Sequence, residues 1–522
     1  MHAKKAAANK AAVKHARKVP VELTTAQRLG AVVKSARDIM RKDKGINGDL
    51  DRLPILTWIM FLKFLDDLEQ QREEEAILAG KKFKPAIEKP YRWRDWAANP
   101  QGVTGDELLS FLNDQETVLP NGKTGPGLFA YLRGLSGKDE RQEVISTVFS
   151  GIDNRMRSGY LLRDVIDKIG TIHFTSSEEL HTLGSLYESM LREMRDASGD
   201  SGEFYTPRAV VRFVVAAANP RLGEVIEDPA CGTGGFLVES FTHLAKQVKT
   251  VADRTILQTA SVQGIEPKSL PYLLCQMNLL LHGLEAPRID HGNALRHRLT
   301  ELGDKERVDV ILTNPPFGGA EEKGIQDNFP EDKRVAETAL LFLQLIMRKL
   351  RRAPKPGRAA VIVPNGTLFG DGVCARIKED LLRNFNLHTI VRLPNGVFAP
   401  YTGIPTNILF FERSGPTKQV WYYEHQLPEG RKNYTKTQPV QFEEFADCLQ
   451  WWGKRKENER AWKVPAAELL ANGCNLDRKN PSAKDDITHL PPEELATSIL
   501  KKELRIAEIV KGIQKLLANP KA

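Results

Sequence analysis

The sequence predicts an α/β protein: a doubly wound sheet of seven strands, with an all-helical region before it and a helical tail after it. Three observations predict this. Short apolar runs alternate with helical stretches between Glu224 and Glu412, the pattern of strands joined by crossover helices. A glycine-rich turn, Pro229-Ala230-Cys231-Gly232-Thr233-Gly234-Gly235, follows the first run. The fourth run, Val308 to Thr313, ends in Asn314-Pro315-Pro316-Phe317, where two prolines stop a buried strand abruptly.

Taken in order, residues 1–20 mix Ala with Lys and His and lack the apolar block of a signal peptide, so they read as a basic disordered tail. Residues 21–165 read as a helical domain. Thr24-Thr25 caps a first helix, and Pro54 opens a second whose core, Ile55 to Leu65, is apolar almost all round and therefore buried. Asp66, Asp67 and Glu69 then return it to solvent. Lys81 to Gly127, rich in Pro, Gly, Trp and charge, reads as loops with short elements. Its Lys89–Trp96 segment suits packing between helices better than contact with nucleic acid. Helices resume at Glu140–Val148 and Leu161–Ile169.

The sheet domain spans 166–415. It opens with a capping-box-like helix start at Thr175 to Leu180 and a Gly/Ser loop, Ser198 to Gly202. Thr206 then caps a helix with Pro207 in its first turn. The seven strands are Glu224–Asp228, Ser261–Glu266, Arg288–Asp290, Val308–Thr313, Ala359–Val363, His388–Leu393 and Asn407–Phe411. Residues 416–485 form a weaker extension, with one more strand suggested at Trp421–Tyr423 and an interface suggested at Trp451-Trp452. From 486 to 522 the tail is an amphipathic helix. Its stripe of Ile499, Ile506, Ile509, Ile513 and Leu516 suits a coiled coil or docking, on a partner helix or on its own domain.

The totals bound the function loosely. A net charge of +8 permits a polyanionic partner without establishing one. The five cysteines form no C-x-x-C pair and the eleven histidines no ligand spacing, so neither a metal site nor a disulfide framework is expected, and a reducing cytoplasm fits. No apolar run is long enough to span a membrane. Arg348, Lys349, Arg351, Arg352, Lys355 and Arg358 form a basic cluster that suits either DNA phosphates or a solvated helix end.

The chemistry concentrates at two strand ends. In open α/β sheets ligands bind at the carboxyl ends of strands. The turn after Asp228 is not G-x-G-x-x-G, and Glu266 lies 38 residues beyond Asp228, against the roughly 20-residue spacing of a dinucleotide site. An acid at the first strand's tip suits a cation. S-adenosylmethionine carries both an ammonium and a sulfonium, and Glu266 can accept from its ribose hydroxyls. Asn314 and the stiff carbonyl of Pro315 form an acceptor pair, with Phe317 beside them to stack. That set suits a planar ligand bearing an exocyclic amine: adenine N6, cytosine N4 or a protein glutamine amide.

The succession Gly202-Glu203-Phe204-Tyr205-Thr206-Pro207, Asp228 to Phe236, and Asn314 to Phe317 resembles the amino-methyltransferases that modify DNA. More narrowly, from about residue 22 to 420, the chain resembles the modification subunits of type I restriction–modification systems. The resemblance implies a Rossmann-like methyltransferase sheet. It implies that Phe204, Tyr205, Thr206, Pro207, Asp228, Ala230, Cys231, Gly232, Thr233, Gly234, Glu266 and Asn293 serve S-adenosylmethionine. Asn293 stands where relatives often carry Asp, so it departs from the pattern. Asn314, Pro315, Pro316 and Phe317 would hold a flipped adenine of double-stranded DNA. The resemblance also implies a separate specificity subunit, two modification subunits per specificity subunit, and a restriction subunit that can join. A non-catalytic assembly subunit is the alternative of a different class.

Overall fold

The computed structural model describes residues 24–99, 102–135, 140–174, 177–197, 206–399, 402–435, 437–482 and 492–518. The basic tail, Thr175, Ser176, Phe204 and Tyr205 lie outside the described residues. Residues up to Arg478 belong to one compact unit and those from Lys479 to a second.

The first unit opens with α1 (Thr25–Met40), started by a capping box between Thr24 and Gln27. α2 (Asp49–Leu78) contains Pro54 rather than starting at it. So close to the amino end, the missing N–H of Pro54 forfeits a single helical bond, and the helix continues back to Asp49. From Ile55 to Phe64 every residue of α2 is buried, as its unbroken apolarity predicts. Asp66 and Glu69, expected at the surface, are buried too. Asp66 accepts from the Arg94 guanidinium, and Glu69 from the Ala86 amide and Arg141. Burial raises the pKa of both carboxyls despite these partners. Arg94 and its neighbouring tryptophans therefore pack inward, with Trp93 and Trp96 both buried. One helix the sequence reading omitted, Gly105–Asn113, lies in the segment expected to be loop.

α3 (Ser177–Ala197) and α4 (Arg208–Ala218) lead into the sheet. Its strands are β1 (Ile226–Asp228), β2 (Val262–Ile265), β3 (Arg288–Asp290), β4 (Val310–Thr313), β5 (Arg358–Pro364), β6 (Asn386–Leu393), β7 (Thr406–Glu412), β8 (Gln419–Glu424) and β9 (Ala461–Pro465). Their order is β9-β8-β6-β7-β5-β4-β1-β2-β3. All seven expected strands are present. The sheet is mixed rather than wholly parallel, because β7 runs antiparallel to both β5 and β6. The link from Leu393 to Thr406 carries no crossover helix among its described residues, and the chain turns back beside β6. Two further strands widen the sheet: β8 lies parallel on β6, and β9 antiparallel on β8.

Two other expectations change. Trp451 is buried, and both Trp451 and Trp452 pack within the fold, Trp452 edge-on to Phe410 and Trp451 against Trp421 and Tyr423. They cover the widened sheet instead of offering an interface. Half of the basic cluster is held in ion pairs: buried Lys349 with buried Glu227, Arg351 with Asp309, and Arg358 with Glu224, while Arg352 and Lys355 are exposed.

β1 pairs with β2 on one side and β4 on the other. The strand order therefore reverses between β1 and β4, which opens a crevice at their carboxyl ends. α5 (Gly235–Ala245) follows β1, α6 (Ser269–Leu281) follows β2, and α7 (Thr338–Lys349) follows β4. In the second unit, α8 (Pro492–Ala518) exposes Ile499, Leu500, Leu504, Ile506, Ile509, Val510 and Ile513. The Leu516 side chain lies outside the description.

Candidate active site

β1 and β4 deliver their last residues side by side. The Thr313 hydroxyl donates to Asp228 Oδ1 at 2.6 Å, and the Ala230 amide donates to the same oxygen at 3.0 Å. Asp228 is buried, and burial lifts its carboxyl to about 7 against these two donors, with Glu266 and Glu227 nearby adding to the rise. A carboxyl held so far above its ordinary value is stabilised as an anion by any cation that arrives beside it.

The turn after β1 is built for close approach. Gly232 and Gly234 have φ of +53° and +79°. A Cβ on Gly234 would stand 2.7 Å from Cys275 Sγ, so only glycine fits there. The Gly232 amide donates to Glu266 Oε2, and the Lys268 amide to Glu266 Oε1. Glu266 thus ends β2 tied to the turn. Burial pushes the Cys231 thiol well up in pKa, beside Cys275 Sγ at 3.9 Å, so it stays neutral and is not a nucleophile. Thr233 is buried, and its carbonyl accepts from Asn278, which also donates to Glu188. Arg208 clamps Glu188 with two hydrogen bonds. Burial would raise the Glu188 carboxyl, but Arg208 and Asn278 offset it and hold it below its usual value. This chain locks α3, α4 and α6 to the turn. Asn293 lies past β3, where its Oδ1 accepts from the Leu295 amide.

The base-facing group sits at the end of β4. Asn314 Nδ2 donates to Thr206 Oγ1 at 3.1 Å. Thr206 is therefore not the helix cap expected of it: α4 starts at Arg208 after Pro207, with no side-chain cap. Asn314 Oδ1 is buried and has no hydrogen-bond partner among the described residues. A buried acceptor without a donor is costly, about 1–3 kcal/mol, and such an atom signals a missing ligand. Pro315 is buried, Pro316 exposed and Phe317 half-buried.

Phe317 meets Phe398 edge-on, with ring centroids 5.4 Å apart. The sequence reading missed Phe398. The signal was there, since Pro394-Asn395-Gly396-Val397-Phe398 is another Pro/Gly turn leaving the carboxyl end of a strand. It also missed Thr313, whose role depends on β1 and β4 being neighbours.

Residues 178–489 match the N-6 DNA methylase family, and residues 29–169 match the HsdM N-terminal domain. The chain is 48% identical to the EcoEI type I restriction enzyme methylase subunit of Escherichia coli, over 94% of this chain and 97% of that one. This chain belongs to the type I methylase subunits. Solved structures agree. A modification subunit assigned to a type I restriction enzyme of Vibrio vulnificus is 67% identical, with TM-score 0.80 over 90% of this chain and 99% of that one. A chain from a structural study of complex assembly and conformational transition in a type I restriction–modification system is 39% identical. Its TM-score is 0.78, over 96% of this chain and all of that one. The protein is thus a DNA adenine methyltransferase, the catalytic modification subunit of a type I system, and the family implies S-adenosylmethionine as methyl donor. Adenine N6 replaces cytosine N4 and glutamine as the acceptor, and the non-catalytic reading falls.

Proposed function

We propose that the crevice between β1 and β4 holds S-adenosylmethionine on one side and an adenine flipped out of duplex DNA on the other. The observation that carries this reading is the buried Asn314 Oδ1, without a hydrogen-bond partner among the described residues, an acceptor one residue from the strand end that supports Asp228. The residues fit the cofactor: a raised carboxyl for its cationic end, a second carboxylate at the β2 terminus for hydroxyls, and a glycine turn that admits close approach. When bound, S-adenosylmethionine supplies an electrophilic methyl on sulfonium sulfur. Asp228, Gly232, Gly234 and Glu266 would hold it, with Thr206, Pro207, Ala230, Cys231, Thr233 and Asn293 around them. Phe204 and Tyr205 join this set through the family resemblance.

Adenine N6 is a weak nucleophile because its lone pair is delocalised into the ring. Asn314 Oδ1 and the Pro315 carbonyl accept its two hydrogens, which favours a tetrahedral nitrogen with a localised pair. Asn314 Nδ2 donates to Thr206 Oγ1, which leaves Oδ1 to face the base. Phe317 stacks on the ring and recovers about 1–3 kcal/mol of the stacking lost on flipping. Pro316 stiffens the segment between them. The new N6–methyl bond forms as the sulfonium–methyl bond breaks, N6 then losing a proton, so catalysis consists of positioning and electrostatics with no covalent enzyme intermediate.

In this reading residues 21–165 form the helical domain and 166–415 the methyltransferase domain. Residues 416–485 extend the sheet, and 486–522 dock a specificity subunit through the exposed apolar stripe of α8. That subunit reads the DNA, two modification subunits flank it, and a restriction subunit can join. Co-expression with the neighbouring specificity gene, followed by mapping of methylated bases, tests the assignment. N6-methyladenine at one defined site is expected, and its absence with a purified, assembled complex would refute it. Removing residues 486–522 is expected to release the specificity subunit and leave S-adenosylmethionine binding intact.

A further inference from the structure

We propose that Tyr434, in the extension beyond the methyltransferase strands, is a positioning residue for the adenine pocket, braced by Glu444 and His425. The inference rests on the reading of Asn314 and Phe317 given above.

Phe398, which meets Phe317, sits on the turn leaving β6. That turn leans on Tyr434. The Tyr434 amide donates to the Asn395 carbonyl at 3.3 Å. Gly396 has φ +79°, and a Cβ there would lie 2.2 Å from the Tyr434 carbonyl. The Ala399 amide closes the turn on the Gly396 carbonyl at 2.9 Å. The turn that carries Phe398 is therefore packed directly against the backbone of residue 434.

Tyr434 is itself immobilised. Its side chain is buried, and its hydroxyl donates to Glu444 Oε2. The hydroxyl oxygen then accepts from His425 Nε2 at 3.1 Å, which sets the imidazole tautomer. Burial holds the His425 pKa down at about 4, so the ring stays neutral. The rings form a column. Tyr434 lies 10° from parallel to His425, His425 stacks on Phe445 at 4.4 Å, and Phe445 stacks on Phe213 at 4.5 Å. Phe213 belongs to α4, the helix that begins just past Thr206, the residue gripping the Asn314 amide. One column thus supports both halves of the base pocket: Asn314 through α4, and Phe317 through Phe398.

The test uses the full chain in complex with its co-expressed specificity subunit. The substrate is a duplex carrying 2-aminopurine at the mapped target base for the flipping signal, and adenine there for turnover. Tyr434→Phe removes the hydroxyl and keeps the ring. Gly396→Ala pushes the turn off residue 434 directly. Both are expected to lower kcat about 10–100-fold and to weaken the 2-aminopurine signal, with S-adenosylmethionine affinity unchanged. Wild-type kcat and flipping signal in both variants would overturn the proposal, as would a loss matched by an equal loss of cofactor affinity. Asn314→Ala separates the two readings. If it turns over normally, the pocket assignment itself is wrong. If it is inactive while both positioning variants behave as wild type, only the role of Tyr434 fails.

Discussion

Asp228→Asn should strengthen the empty protein while weakening its grip on the cofactor. Burial lifts the Asp228 carboxyl from an ordinary 3.8 to about 7. A folded-state value above the unfolded one stabilises the fold fully below pH 4, and that contribution is lost as pH rises to 7. Three units correspond to about 4 kcal/mol of lost stability by pH 8 and about 1.6 kcal/mol by pH 5. Asparagine removes the whole dependence. It retains an Oδ1 for the Thr313 hydroxyl and the Ala230 amide, but it places an NH2 where an oxygen stood, costing about 1–3 kcal/mol if unpaired. The ligand-free variant should therefore be about 1–3 kcal/mol more stable than wild type at pH 8 and no more stable at pH 5, read from thermal unfolding across that range. Titration calorimetry should show wild-type affinity for S-adenosylmethionine rising with pH up to about 7, then levelling. In the variant that slope should vanish, with affinity about tenfold or more weaker, as for a lost hydrogen bond to a charged group. Parallel melting-temperature profiles for the two proteins, or an unchanged affinity, would refute the role given to Asp228.

Asn314→Ala should bind S-adenosylmethionine as wild type does and lose about 100-fold or more in methyl transfer, measured with labelled cofactor on duplex DNA. Gly234→Ala forces a side chain into φ +79° and against Cys275. It should cost about 1–3 kcal/mol in thermal stability, and shrinking Cys275 to alanine as well should recover only part, because the backbone strain stays. Lys349→Met strands the buried Glu227 carboxylate, for about 3–5 kcal/mol of destabilisation in denaturant titration. Adding Glu227→Gln should restore most of it.

Local chemistry was legible from the chain alone. The prolines after Thr313 announced a strand end, the glycines after Asp228 announced a turn, and the unbroken apolar run of α2 announced its burial. These signals are short-range: they follow from what a residue's own backbone and nearest neighbours permit. Burial of Asp66 and Glu69 was not legible, because a charge reads as surface until its partner, Arg94 or Arg141, arrives from elsewhere in the chain. Nor was the widening of the sheet by β8 and β9, since strands that pair with distant segments carry no local mark of their neighbours. The candidate site divides the same way. Asn314, Phe317, Asp228 and Glu266 could be named from motif and order. That Thr206 holds Asn314, that Thr313 holds Asp228, and that Phe398 faces Phe317 followed only from the tertiary structure. Each of those contacts joins segments about 80 to 108 residues apart in sequence, where sheet topology alone decides which side chains meet.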